Sequence, residues 1–142
     1  MLFLMLTVMS GVNANAGNVE RIASKTIERW NYALKSGHMD AIMRFYAQDA
    51  VLVQSNGDFA GDVDQIRSFW KDLVKNPGAY ELNLQEAHRD GDNIVLTARL
   101  DVVATGQKLS KHPMNTRYEG TIQQVIKHQG RGWKTIVQQW NE

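Results

Sequence analysis

The sequence has no cysteine, only two prolines and no surplus of either charge: 16 lysines and arginines face 15 aspartates and glutamates, a formal net charge of +1 over 142 residues. Without cysteine there can be no disulfide, no thiolate metal site and no cysteine nucleophile. So even a charge balance leaves no basic stripe to follow a phosphate backbone, which excludes a general nucleic-acid binder. Eleven scattered glycines and no low-complexity run exclude a collagen-like or largely disordered chain. What is present, 43% hydrophobic residues and 22% charged ones, is the composition of a single globular domain.

The apolar run Leu2-Phe3-Leu4-Met5-Leu6-Thr7-Val8-Met9 is too short to span a bilayer. It is followed by Ser10, Gly11 and then Ala14-Asn15-Ala16, the small-x-small pattern that a signal peptidase cuts. No lysine or arginine precedes it. These residues predict a secretory leader over 1–16 and one domain over 17–142, periplasmic or secreted and free of the membrane once the leader is removed. The alternative, an apolar first helix packed on the domain, would need polar positions at helical spacing. Before Asn13 only Thr7 and Ser10 are polar.

Val19, Ile22, Ala23, Ile27, Trp30, Ala33 and Leu34 recur at intervals of three and four and stop at Ser36-Gly37, predicting an amphipathic helix. A short second helix is expected from Asp40 through Tyr46, then a strand at Ala50-Val51-Leu52-Val53 and a turn at Ser55 to Asp58. Asp62 and Gln65 resemble a capping box opening a third helix through Val74, broken by Asn76-Pro77-Gly78. From Ala79 onward the period is two. Turn clusters at Asp90 to Asp92, Thr105 to Asn115 and Gln129 to Gly132 divide this stretch into four antiparallel strands. Helices and strands segregate, which predicts an α+β domain with a curved sheet against helices.

Three segments carry a family resemblance in the same order. Trp30 to Asp49 (WNYALKSGHMDAIMRFYAQD) resembles the helix, glycine, helix, "YA-x-D-A" passage of the nuclear transport factor 2-like superfamily, Gly61 to Trp70 (GDVDQIRSFW) its third helix, and Gly132 to Trp140 (GWKTIVQQW) its closing strand. The superfamily includes SnoaL-like cyclases, ketosteroid isomerases and the association domain of calcium/calmodulin-dependent protein kinase. The resemblance implies a cone-shaped, cystatin-like α+β fold in which a curved antiparallel sheet wraps around N-terminal helices. It leaves function open, because such folds host enzymes and binding modules alike.

The isomerase resemblance places a general base at Gln54, an oxyanion donor at Trp30 and a protonated acid at Gln123 or Gln124. Glutamine cannot abstract a proton, so that chemistry is not expected. His38, His88, His112 and His128 show no metal-ligand spacing, and no serine sits in a G-x-S-x-G elbow. Asp49, Asp58 and Asp62 suit capping and turns. No catalytic set, metal or cofactor is expected.

In the strands Ile94 to Val103 and Arg117 to Ile126, one face is apolar and the other carries Thr97, Arg99, Asp101, Arg117, Glu119, Thr121 and Gln123. A hairpin centred near Lys108 sets Arg99 opposite Arg117, a like-charge pair that Asp101 and Glu119, or a ligand, would compensate. On this reading the polar face is either solvated or, as resemblance to the kinase association domain implies for Arg99, turned into a pocket.

The expected function is to bind a small amphipathic, carboxylate-bearing ligand in a pocket walled by Trp30, Tyr46, Phe69, Trp70 and Tyr118, with Gln54, Arg99 and Arg117 as polar points. Trp133, Ile136, Val137 and Trp140 place apolar groups on both sheet faces, which predicts a homodimer through the outer face. The alternatives are a cyclase- or hydratase-type enzyme using Asp49 or His88, and a dimerisation module, which a cavity filled by its own Trp and Tyr rings would favour. For the leader, the expected outcome is an intact mass that begins at Gly17 in protein recovered from the cell envelope; a full-length cytosolic species would contradict it.

Overall fold

The computed structural model describes residues 2–103 and 118–141, with side chains from residue 17 onward. Helix α1 spans Leu2–Ser36, so the apolar run and the amphipathic stretch form one continuous helix. Its buried positions, Val19, Ala23, Thr26, Ile27, Trp30, Ala33 and Leu34, are the three-and-four pattern of the sequence. The Thr26 hydroxyl donates to the Ile22 carbonyl at 2.8 Å, which removes the cost of burying it. Gly37 ends the helix at φ +67°, where a Cβ would lie 2.7 Å from Pro77 Cγ. Both the left-handed backbone and the close approach require glycine there.

Helix α2, Met39–Met43, is shorter than expected. Phe45 and Tyr46 leave it, and strand β1 begins at Tyr46 and runs to Val53. The Phe45 carbonyl already accepts the Thr135 N–H at 2.7 Å. Strand pairing thus overrides a helix too short to hold its own end. A turn in which Gln54 N–H donates to the Asp58 carbonyl at 2.7 Å leads into β2, Phe59–Ala60, which the sequence reading missed.

Helix α3, Val63–Trp70, is capped much as expected: the Asp62 carboxylate accepts from Gln65 N–H at 2.8 Å, and Gln65 Oε1 accepts from Gly61 N–H at 2.8 Å. It ends four residues before the predicted Val74. A single 3-10 turn, Leu73–Lys75, follows and buries Leu73.

Strands β3 (Tyr80–Asp90), β4 (Asn93–Val102), β5 (Gly120–Gln129) and β6 (Gly132–Asn141) appear where the period-two pattern placed them. With β1 and β2 they form one six-stranded sheet in the order β2-β1-β6-β5-β4-β3. It is antiparallel except that β1 runs parallel to β6, a pairing the sequence reading did not anticipate. Register breaks in β1, in β3 between Leu84 and Glu86, and between β5 and β6 bend the sheet into the curve that receives the helices. Helix α1 lies along β3, where the Asn31 side chain accepts from Leu82 N–H at 2.7 Å and donates to the Leu82 carbonyl at 2.9 Å.

The inner face buries Ile94, Leu96, Ala98 and Leu100 from β4 and Ile122, Gln124 and Ile126 from β5. On the opposite face Val95, Val125, Val137 and Val51 stand side by side across four strands. The register also corrects the expected charge pair. Arg99 lies opposite Thr121, not Arg117, because the β4–β5 pairing is centred on residue 110 and not on Lys108. Lys108 and Arg117 themselves fall outside the described residues.

Candidate functional site: the aromatic interior

Five of the expected pocket residues come together. Trp30 from α1 meets Tyr46 from β1 and Trp70 from α3 at ring-centroid distances of 5.7 Å each. Phe69 lies 5.2 Å from Trp70 and 5.3 Å from Tyr118, and Trp70 stacks nearly parallel on Tyr118 at 5.9 Å. All five are buried. Edge-to-face and offset contacts of this kind add to the burial term of each ring.

The same cluster includes rings that the sequence reading placed elsewhere. Phe45 stacks on Trp30 at 4.5 Å, and Tyr80 stands edge-on to Tyr118 at 5.6 Å. Trp140, one of the four β6 residues read as apolar groups on both sheet faces, is inside, 4.8 Å from Phe69 and 5.4 Å from Trp70. Its indole N–H donates to the Tyr118 carbonyl at 3.2 Å. The cause is the register break in β6: Val137 pairs with Val125 but Thr135 with Ile126, so Ile136 is an extra residue that changes which side chains face inward. Trp133 and Ile136 pack against the core, which leaves Val137, of the four residues expected to divide between core and partner, on the outer face. The rings lean directly on one another and occupy the space that the sequence reading gave to a ligand.

A line of uncharged polar groups runs under the rings. Trp70 Nε1 donates to the Tyr46 hydroxyl at 2.8 Å, and that hydroxyl donates to Gln138 Oε1. From the same strand as Gln138, the Thr135 hydroxyl donates to Gln124 Oε1 on β5 at 3.0 Å. Gln124, Thr135 and Gln138 are all buried. The sequence reading reached Gln124 only as a loose match to the isomerase acid. It missed Thr135 and Gln138, since a buried glutamine looks like a solvent-facing one in a strand of alternating polarity. Burial pushes the Tyr46 phenol far above the ordinary tyrosine value, against the smaller opposing pulls of its hydrogen bonds with Trp70 and Gln138.

The remaining expected points are not brought to this cluster. Arg99 is half exposed on the outer face, with Nε 2.7 Å from Asp101 Oδ1. It cannot receive a carboxylate inside the cone. Its ion pair is the solvated arrangement considered from the sequence, and such pairs contribute below about 1 kcal/mol. Gln54 closes the β1–β2 turn and lines a shallow surface dent with Gln65, Ser68, Lys71 and Asp72. Asp49 and His88, the candidates for an enzyme reading, are both exposed. Among the described residues no group of three His, Cys, Asp or Glu could hold a metal ion, and no helix is long and apolar enough to cross a membrane.

A curved sheet closed by three helices over an aromatic interior defines an α+β cone. The SnoaL-like domain model matches residues 27–125, and the chain belongs to that family. Solved structures agree on the fold. A nuclear transport factor 2-like protein of unknown function from Shewanella oneidensis superposes with a TM-score of 0.67 at 17% identity, covering 87% of this chain and 98% of that one. A candidate calcium/calmodulin-dependent protein kinase II association domain from Xanthomonas campestris gives 0.63 at 16% identity, covering 84% of each chain. A candidate scytalone dehydratase from Novosphingobium aromaticivorans gives 0.64 at 10% identity, covering 89% and 85%. No protein of curated function matches the sequence.

The Tyr46 phenol predicts a response to alkali. Below about pH 10 it is neutral in the folded and unfolded chain alike; above that the unfolded chain releases the proton and the folded chain keeps it, so stability falls as pH rises, by at most about 1.4 kcal/mol per pH unit for this group. Tyr46→Phe should cost about 1–3 kcal/mol at neutral pH by orphaning the Trp70 N–H. It should then lose stability less steeply than wild type in urea titrations between about pH 10 and 12. Equal slopes would show that Tyr46 is not the buried phenol responsible.

Proposed function

We propose that the chain is a small-molecule-binding domain of the periplasm or extracellular space, taking an amphipathic ligand into the cone and acting as a homodimer. The observation that supports ligand binding is the line of uncharged polar groups, Tyr46, Gln138 and Gln124, set inside an otherwise aromatic interior. A few convergent polar groups on an apolar wall are the usual composition of a small-molecule site. The export reading rests on the leader residues Leu2 to Ala16. A cyclase- or hydratase-type reaction, which the name of the Novosphingobium relative suggests for that protein, finds no support in Asp49 or His88, because neither reaches the interior.

Protein isolated natively from the envelope is expected to carry a small molecule visible by native mass spectrometry, or to gain thermal stability with amphipathic compounds. Protein that comes clean and responds to none of them would favour the second reading, an association module. That reading has its own support, since the rings fill the interior.

Dimerisation is argued from the outer face. Val95, Val125, Val137 and Val51 form an unbroken apolar row, in which Val95 is buried and the other three are partly buried. Phe59, opposite Val53 on the edge hairpin, adds an exposed ring nearby. A self-complementary patch of this kind suits a two-fold contact. Light scattering should give a dimer at tens of micromolar, on the order of ten times a micromolar dissociation constant. Val137→Lys should shift it to monomer without unfolding it; a monomeric wild type would remove the proposal.

A further inference from the structure

Inside the cone, hydrogen-bond donors outnumber acceptors. Gln124 Nε2, Gln138 Nε2 and Trp30 Nε1 are all closed off from solvent and have no partner. The two glutamines face each other in register across β5 and β6 on the inner face. Both amide oxygens are already engaged, Gln124 Oε1 by Thr135 and Gln138 Oε1 by Tyr46. The Tyr46 oxygen accepts from the Trp70 indole N–H and its own proton goes to Gln138 Oε1, so the Gln138 NH2 is turned away from it. Trp30 extends the set, since its ring stands edge-on to Tyr46. Native interiors rarely bury unpaired N–H groups, and a cluster of them marks a place where an acceptor belongs.

We propose that the paired amides of Gln124 and Gln138 form a binding site for the acceptor oxygen of an uncharged small molecule, a ketone, ester or amide carbonyl, admitted when the aromatic plug opens. This rests on the small-molecule reading of the cone and adds its chemistry. A carbonyl oxygen offers two lone pairs, one for each glutamine NH2. The site selects a neutral ligand because, among the described residues, no charged side chain is buried with it, and a carboxylate entering here would lose its hydration without a counter-charge. The same environment keeps the Tyr46 phenol un-ionised. Entry requires a ring to move, and Trp70 bears on the site through the Tyr46 hydroxyl that its indole shares with Gln138.

Acetophenone and ethylbenzene test the proposal, since they share a ring and differ in one oxygen. In nitrogen-15-labelled protein, acetophenone is expected to shift the side-chain NH2 resonances of Gln124 and Gln138, while ethylbenzene perturbs ring resonances and leaves those amides in place. In the double variant Gln124→Met, Gln138→Met, acetophenone should bind at least about tenfold more weakly, with ethylbenzene unchanged. If the double variant does not fold, the wild-type titration decides alone. Acetophenone binding that leaves both amides unmoved, or that survives intact in the double variant, overturns this proposal and keeps the small-molecule reading. If neither compound perturbs any interior resonance, both fall.

Discussion

The interior is organised by a single hydroxyl. Tyr46 receives the Trp70 indole N–H and passes its own proton to Gln138, joining α3, β1 and β6 at one buried oxygen. Each partner's position thus depends on the other two. Trp70 is thereby fixed against Tyr118, and Tyr118 in turn donates to the Phe69 carbonyl near the end of α3. The short helix is held by its rings and their polar edges far more than by its own eight residues, which alone would be a marginal helix.

Around that point the sheet has two distinct faces. The inner one pairs aromatic and aliphatic groups with a few amides; the outer one sets a valine row between polar rows, with Arg99 and Asp101 paired toward one end. The two proposed roles, ligand binding inside and dimerisation outside, therefore fall on different faces of the sheet and make different demands on the sequence. Carboxylate recognition, attractive while Arg99 was free to face either way, belongs to neither.

Much of this was legible before the structure. The spacing of Val19 to Leu34 marked the buried stripe and the end of α1, Asp62 and Gln65 marked the start of α3, and the change to period two located β3 to β6 to within about three residues. What stayed hidden is what tertiary pairing decides. Tyr46 reads as helical from its neighbours, yet the parallel ladder with β6 takes it into a strand. Which of the apolar residues of β6 face inward cannot be counted by alternation, because one extra residue at Ile136 puts Thr135, Gln138 and Trp140 on the same face. The pairing of Arg99 depended on a connection whose centre cannot be counted from turn residues alone; two residues of error moved its partner from Arg117 to Thr121. The aromatic half of the site was readable because large rings at helical spacing are rarely left in water. The amide half was not, because nothing local distinguishes Gln138, which is buried, from Gln139, which is exposed.

Among the described residues β3 is the long edge strand of the sheet, since β2 at the other end is only two residues. An edge of eleven residues is a template on which another copy of the chain could lay a strand and begin to aggregate. Asn31 answers at Leu82, where its side-chain amide takes both the N–H and the carbonyl that an incoming strand would use. Four residues on, the register break before Glu86 twists the rest of the edge out of line. One asparagine on a helix thus acts as a stopper on the ladder, and its loss would be felt first as fibre formation at high concentration, well before the interior came apart.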